Sequence, residues 1–80
     1  MTVPLYGFLE GDSLGLLMLA SEGMTVAELA DSLRAAAAVR VGWTGDAHVL
    51  HAGRVVAGEL TVARAQMRPL DRFDVRRGLP

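Results

Sequence analysis

The spacing of hydrophobic and polar residues in the first quarter of the chain predicts two strands joined by a tight turn. Residues 4–10 are mainly aromatic and aliphatic, and residues 14–20 are apolar again. Between them, residues 11–13 read Gly-Asp-Ser, which are residue types that favour turns. Two apolar runs separated by a turn cluster are typical of a β-hairpin. We therefore predict a hairpin with strands at residues 4–10 and 14–20.

A helix is predicted next, because its start signals and its apolar stripe agree. Thr25 is placed as the N-cap, and Glu28 three residues later completes a capping box. Met24 and Leu29 have the spacing of a hydrophobic staple. The apolar residues that then recur on one face of a helix of about 14 residues are Val26, Leu29, Ala30, Leu33 and Ala37.

The second half of the chain predicts short strands around a long loop. Residues 47–52 read as a third strand, residues 53–54 as a turn and residues 55–56 as a short fourth strand. A loop with one helical turn is expected at residues 60–67, and the alternating residues 72–76 predict the last strand. One amphipathic helix across one mixed sheet is an economical core for such a chain, which makes the fold class α+β.

Size and hydrophobic content bound the chain to one domain with surplus apolar surface. It has 80 residues, of which 51% are hydrophobic. Since domains seldom divide below roughly 100 residues, we expect a single domain over residues 1–80. A domain of this size hides only about 60–65% of its unfolded surface. The apolar residues that the core leaves out indicate a surface that contacts a partner.

Charge and residue types exclude several classes of function. Eight basic and nine acidic side chains give a net charge of −1, so binding to nucleic acid is not expected. No cysteine occurs, which excludes disulfides and thiolate catalysis and fits a reducing compartment. The longest uncharged stretch, residues 13–21, is shorter than the roughly 20 residues that span a bilayer. We expect a cytoplasmic chain that binds no membrane.

Two short patterns look like catalytic or metal-binding motifs but lack the partners that such chemistry needs. Residues 11–14, Gly-Asp-Ser-Leu, spell a serine-hydrolase signature, yet the companion Asp-x-x-His near the C-terminus is absent. His48 and His51 would lie on opposite faces of a strand, without a third ligand nearby. No phosphate-binding loop occurs either. We expect no catalytic, metal or cofactor site in this chain.

The second strand of the hairpin is apolar on both of its faces. Leu17 and Leu19 point to one face, and the even-numbered leucines and methionine of residues 14–18 point to the other. One face packs under the helix. The other is either covered by the rest of the chain or is a docking surface for another protein.

Four further side chains have the chemistry that is enriched at protein interfaces. Arginine offers several rigid donors and tryptophan a large apolar surface, and both are frequent in interface hot spots. Trp43 has two interpretations, an anchor for a partner or a lid on the core. We predict protein contacts at Arg40, Trp43, Arg54, Arg72, Leu17 and Leu19.

The second half of the chain resembles that of ubiquitin-like domains. Residues 48–62, His-Val-Leu-His-Ala-Gly-Arg-Val-Val-Ala-Gly-Glu-Leu-Thr-Val, have the order of strand, Ala-Gly-basic turn, short strand, glycine and Leu-Thr loop. Residues 67–78 match the last strand and its approach, and Thr25 and Val26 match the start of the helix. The resemblance implies a ubiquitin-like β-grasp fold over the whole chain, ββαββ, with one main helix across a mixed sheet.

Within that fold the chain resembles protein B of toluene monooxygenase systems, the gamma subunit of multicomponent di-iron hydroxylases. The matching features run from Pro4 through the Glu10-x-Asp12 hairpin, the apolar second strand, Met24, Arg40-Val41 and Leu70 to Phe73-Asp74-Val75. The chain departs from the family in two respects: it has no lysine, and many residues along the face of the helix are substituted.

This resemblance implies a non-catalytic subunit that docks on the alpha and beta subunits of a hydroxylase for assembly or stability. In that family the di-iron centre belongs to the large alpha subunit, so no cofactor is expected in this chain. An alternative is a ubiquitin-like accessory protein of a bacterial secretion system, which also works by docking. Conjugated modifiers and sulfur carriers end in Gly-Gly, whereas this sequence ends in Arg-Gly-Leu-Pro, so we expect no ubiquitin-type conjugation.

Overall fold

One mixed five-stranded sheet and one helix form the regular structure of the chain. The computed structural model describes residues 1–80. In chain order the elements are β1 (Thr2–Leu9), β2 (Leu16–Ser21), α1 (Val26–Ala37), β3 (Ala47–His51), β4 (Arg54–Val56) and β5 (Arg72–Arg77). The strands lie in the order β2-β1-β5-β3-β4, with β1 and β5 parallel and the other neighbours antiparallel. The α+β class and the helix across a mixed sheet are confirmed, while the element order is ββαβββ rather than ββαββ, because the short β4 forms a strand of its own.

The helix begins where its capping signals predict. The Glu28 N–H donates to Thr25 Oγ1 over 3.1 Å, and the Thr25 N–H donates to Glu28 Oε1 over 3.0 Å, so both halves of the capping box form. The whole predicted stripe is buried, from Val26 to Ala37. It packs on the sheet in a core of 14 buried residues, in which Leu5, Leu29 and Phe73 are among the largest. At 12 residues, the helix is neither long nor apolar enough to cross a membrane.

The long loop after β4 satisfies the start of the helix. The Val26 N–H donates to the Leu60 carbonyl over 2.8 Å, and the Ala27 N–H donates to the Gly58 carbonyl over 2.9 Å. The first N–H groups of a helix have no partner within it, so these two bonds replace contacts with water. Further along, the Ala65 N–H donates to the Thr61 carbonyl over 2.9 Å, which forms the single helical turn that was expected.

Several predicted element boundaries are wrong by one or two residues. β1 begins at Thr2 rather than at residue 4. Leu14 lies outside β2, because its N–H donates to the Asp12 carboxylate over 3.1 Å within the turn. The turn between β3 and β4 consists of Ala52 and Gly53, with φ of 54° and 77°, so Arg54 belongs to β4. Two consecutive positive φ values define the tight turn whose twist fits antiparallel strands.

β2 is an open edge of the sheet. The Tyr6 N–H donates to the Asp71 carbonyl over 2.9 Å, so this residue of β1 uses its backbone groups on the β5 side. Tyr6 lies opposite Leu17 of β2. Along an antiparallel pair of strands, opposite residues alternate between pairs that exchange backbone hydrogen bonds and pairs that do not, and Tyr6 with Leu17 is a pair of the second kind. The N–H and C=O groups of Leu17 and Leu19 therefore point away from β1, toward the open edge.

Candidate docking surface

The face of β1 and β2 that lies away from the helix is apolar. Its side chains alternate with the buried ones of β1 and are paired across the strands, Pro4 with Leu19 and Tyr6 with Leu17. Leu19 is 70% exposed, Leu17 is 55% exposed and Tyr6 is 42% exposed. We name this surface the apolar face and define it by Pro4, Tyr6, Phe8, Leu17 and Leu19. Of the two possibilities for the second face of β2, the chain therefore leaves this face uncovered.

Arg72 borders the apolar face and is held in place there. Its guanidinium carbon lies 4.0 Å from the centre of the Phe8 ring. Two hydrogen bonds to Asp74, of 2.8 Å and 3.1 Å, fix the guanidinium in that position, and they lower the pKa of the Asp74 carboxyl. A Cβ added at Gly15 would lie 2.5 Å from the Phe8 ring, so glycine allows the backbone to approach this ring. The Phe8 side chain is thus fixed between Gly15 and Arg72.

Arg54 and Arg72 line the same open groove, which has a volume of about 1100 Å³ and lies at the β4 end of the sheet. Arg54 stands on β4 and is exposed. Three more arginines line it, from the loop before β5 and from β5 itself. We name this feature the arginine groove and define it by Arg54, Arg64, Arg68, Arg72 and Arg76. Arg54 is in register with His51 and the buried Phe73 on the helix side of the sheet, whereas Arg72 lies over Phe8 on the opposite face, so the groove extends over both faces at this end of the sheet.

Trp43 forms a lid on the core beside the end of the helix. Its side chain is partly buried against the core cluster, and its Nε1–H donates to the Glu10 carbonyl over 3.0 Å. The Arg34 guanidinium lies 4.4 Å from the ring centre and also donates to the Trp43 carbonyl over 2.7 Å. Arg77 lies 5.5 Å from the ring centre. These contacts favour the lid interpretation, and a contact between Trp43 and a partner stays a prediction.

Arg40 joins the segment after the helix to the β1–β2 turn. Its Nη2 lies 2.8 Å from Asp12 Oδ2, and its Nε lies 3.2 Å from each carboxylate oxygen. The hydrogen bonds from Arg40, followed by the one from the Leu14 N–H, lower the pKa of the Asp12 carboxyl. Asp12, the acidic residue of the Gly-Asp-Ser-Leu motif, thus has a structural role in the turn. A partner contact at Arg40 also stays a prediction.

The two histidines lie on opposite faces of the sheet, as their odd spacing predicts. His48 is paired with Arg76 in the register and His51 with Phe73. His48 Nδ1 lies 2.8 Å from the Gly78 carbonyl oxygen, and His51 Nε2 lies 2.8 Å from Asp71 Oδ2. Nowhere do three or more His, Asp or Glu side chains converge in a way that could hold a metal ion. The donor groups of this chain therefore do not fit a di-iron centre.

Comparison with protein families identifies the chain. A family model described as toluene-4-monooxygenase system protein B matches residues 2–76. The chain belongs to this family. The match covers the helix and all five strands except Arg77, the last residue of β5. No curated protein matches the chain significantly.

Solved structures show the same fold as this protein B family member. A chain of the toluene 4-monooxygenase HD complex with the inhibitor 4-bromobenzoate superposes with a TM-score of 0.88 at 17% identity, covering 98% of this chain and all of that one. Caldiarchaeum subterraneum ubiquitin gives 0.78 at 12% identity, covering 100% and 98%. The ubiquitin-like domain of Plasmodium falciparum Dsk2 gives 0.76 at 11% identity, covering 98% and 100%. The ubiquitin-like β-grasp fold is confirmed.

Sequence reasoning missed part of both surfaces. Tyr6 and Phe8 belong to the apolar face, and the alternation along β1 was a signal that could have placed them there. Arg64 and Arg68 line the groove from an irregular loop, where no periodicity indicates a direction. The six predicted contact residues divide into Leu17, Leu19 and Arg72 at the apolar face, Arg54 and Arg72 in the groove, and Arg40 and Trp43 near the end of the helix.

Proposed function

We propose that this chain is the non-catalytic gamma subunit of a toluene-type multicomponent di-iron hydroxylase and docks on the hydroxylase alpha and beta subunits through its apolar face. The observation that carries the proposal is the family match over residues 2–76. A similar chain occurs in the toluene 4-monooxygenase HD complex, which supports a partner of the same kind. The di-iron centre and the reaction on the hydrocarbon then belong to the alpha subunit.

The geometry of the apolar face supports docking rather than catalysis. Its five side chains carry no charge, and they stand on two paired strands whose backbone cannot shift independently. Charged and polar groups border it at Arg72 and Asp74. An apolar centre with a polar rim is the usual anatomy of a protein interface. Burial of Leu17 and Leu19 against a partner removes from water two neighbouring leucines that the fold itself leaves exposed.

The alternative, a ubiquitin-like accessory protein of a secretion system, shares the fold and the docking mode. Ubiquitin-like neighbours at 11–12% identity do not distinguish the two functions, because at that identity they reflect the fold alone. The family match favours the oxygenase system.

A double variant on the apolar face tests the proposal. Leu17→Ser with Leu19→Ser removes the two exposed leucines of this face. Val39→Ser with Leu79→Ser is the matched control, since these residues are 90% and 76% exposed elsewhere on the chain. Loss of about 1.5 kcal/mol for each buried leucine weakens binding by about a hundredfold. Affinity purification and titration with the hydroxylase give the two affinities, and circular dichroism verifies that both variants fold.

The expected result is recovery of the alpha and beta subunits with the wild type and the control, and their loss with the apolar-face variant. Equal binding by both variants would show that another surface docks. Recovery of secretion components in place of the hydroxylase would overturn the proposed function itself.

A further inference from the structure

The chain separates its charge into a basic groove and an acidic remainder. Five of the eight arginines line the arginine groove, but only two of the nine acidic residues, Asp71 and Asp74, do so. The rest of the chain therefore carries three arginines and seven acidic side chains. A net charge of −1 conceals this asymmetry, which creates a positive potential on one side of the molecule.

Three of the groove arginines form no ion pair with a carboxylate. Asp74 forms ion pairs with Arg72 at 2.8 Å and with Arg76 at 3.6 Å. Asp71 accepts hydrogen bonds from the Arg68 backbone N–H and from His51, both at Oδ2, and these bonds lower the pKa of its carboxyl, with a smaller contribution from the Arg68 charge. The remaining three are exposed and form no ion pair within the chain: Arg54, Arg64 and Arg68.

Apolar residues line the groove together with these cations. Leu50, Val55 and Leu60 line the groove, and Val55 is 50% exposed. A cluster of free guanidinium groups around apolar side chains suits a ligand with both carboxylates and apolar contacts. Planar guanidinium forks bind carboxylates through two parallel hydrogen bonds.

We infer that the arginine groove binds an acidic segment of a protein partner, with Asp or Glu carboxylates on Arg54, Arg64 and Arg68. The inference rests on the proposed function for the identity of the partner, the hydroxylase, and on the groove for its chemistry. The groove reaches the apolar face at Arg72, which lies over Phe8. A partner that covers both surfaces is expected to have an apolar patch that contacts β1 and β2 and an acidic segment that contacts β4 and the loop before β5.

A protein segment fits the groove better than a nucleic acid does. No Phe, Tyr or Trp lines the groove, so bases find no stacking platform. Phosphates repeated along a strand would also meet Asp71 and Asp74 and, beyond the groove, the acidic remainder of the chain.

Titration of the isotope-labelled chain with hexaglutamate at low salt, followed by NMR, tests the chemistry without the hydroxylase. The expected shifts concentrate at the backbone and Nε–H signals of the groove. Arg54→Gln, Arg64→Gln and Arg68→Gln together weaken binding about tenfold, the loss of three exposed ion pairs of ordinary strength. The control changes the net charge by the same amount at three exposed positions outside the groove: Ala35→Glu, Ala36→Glu and Thr44→Glu.

Three results of the titration overturn the inference. They are shifts spread evenly over all arginines, an equal loss of affinity in both triple variants, and tighter binding of a six-nucleotide single-stranded DNA at the same signals. The first two would show general electrostatics rather than a groove, and the third would make the ligand a nucleic acid.

Binding kinetics with the hydroxylase separate this inference from the proposed function. The groove variant is expected to associate about tenfold more slowly at low salt, because steering by charge acts mainly on association. The control is expected to keep its rate. A wild-type chain that binds hexaglutamate but no hydroxylase refutes the proposed function alone. Hydroxylase binding with unchanged rates in the groove variant refutes the groove as an acidic-segment site.

Discussion

Replacement of Gly7 by alanine tests how tightly the helix packs on the sheet. A Cβ at this position would lie 2.7 Å from Phe73 Cζ and 3.0 Å from both methyl carbons of Leu33. Ordinary contacts between carbon atoms are about 3.5–4.0 Å, so both neighbours must move by up to about 1 Å. Each is only 1% exposed and is packed in the core, which leaves little space for such a movement.

The expected net loss is about 1–2 kcal/mol in the free energy of unfolding. Overpacking of a core costs about 1–3 kcal/mol, whereas the lower chain entropy of the unfolded alanine variant returns about 0.4–1 kcal/mol. For a domain of this size, 1 kcal/mol corresponds to a change in Tm of about 4–8 °C. Urea denaturation, followed by Trp43 fluorescence and circular dichroism, measures the difference.

Gly23→Ala is the matched control, because nothing lies within 4 Å of its Cβ. It is expected to leave stability unchanged or to raise it slightly. A Gly7→Ala variant as stable as the wild type would refute the reasoning, since it would mean that the buried side chains can move aside freely.

Three more predictions concern local interactions. Thr25→Ala removes the cap of the helix and is expected to lower the free energy of unfolding by about 1 kcal/mol in urea, whereas Glu28→Gln, which keeps an acceptor, changes it less. Arg40 lowers the folded-state pKa of Asp12, so the ionised carboxylate stabilises the fold above about pH 4. This contribution is lost as the pH falls through the lowered pKa. The urea midpoints of the wild type and of Asp12→Asn are therefore expected to differ at about pH 7 and to converge near about pH 2. Ala52→Asn relieves a positive φ of 54° in a non-glycine residue and is expected to raise stability by about 1 kcal/mol, measured as a higher Tm; a lower one would contradict the strain at this turn.

Local signals explain why the helix was predicted so closely and the strand ends less so. The cap at Thr25 and the buried stripe depend on residues within a few positions of each other. The start of β2 depends instead on a hydrogen bond from the Leu14 N–H to Asp12, and Asp12 is in turn held by Arg40 from beyond the helix. A turn with Ala52 at positive φ was unexpected, because alanine disfavours that conformation.

The two candidate surfaces differ in how much of each the sequence reveals. Leu17 and Leu19 follow from alternation along an uncharged strand, and the structure places them on one face. The arginine groove combines β4, a loop and β5, whose proximity depends on the sheet order β4-β3-β5. One signal was nevertheless visible: residues 51–80 hold six of the eight arginines but only three of the nine acidic residues. The net charge of the whole chain does not show this difference between its two parts.

The open edge at β2 has a consequence for the life of the chain before assembly. Leu17 and Leu19 offer free backbone donors and acceptors at this edge, beside apolar side chains, on a strand without charge, proline or bulge. Natural proteins usually blunt such edges, since a second copy can pair with them and start aggregates. A chain produced in excess of its partner is therefore expected to lose solubility with concentration, and balanced synthesis of the two would protect it from aggregation and proteolysis.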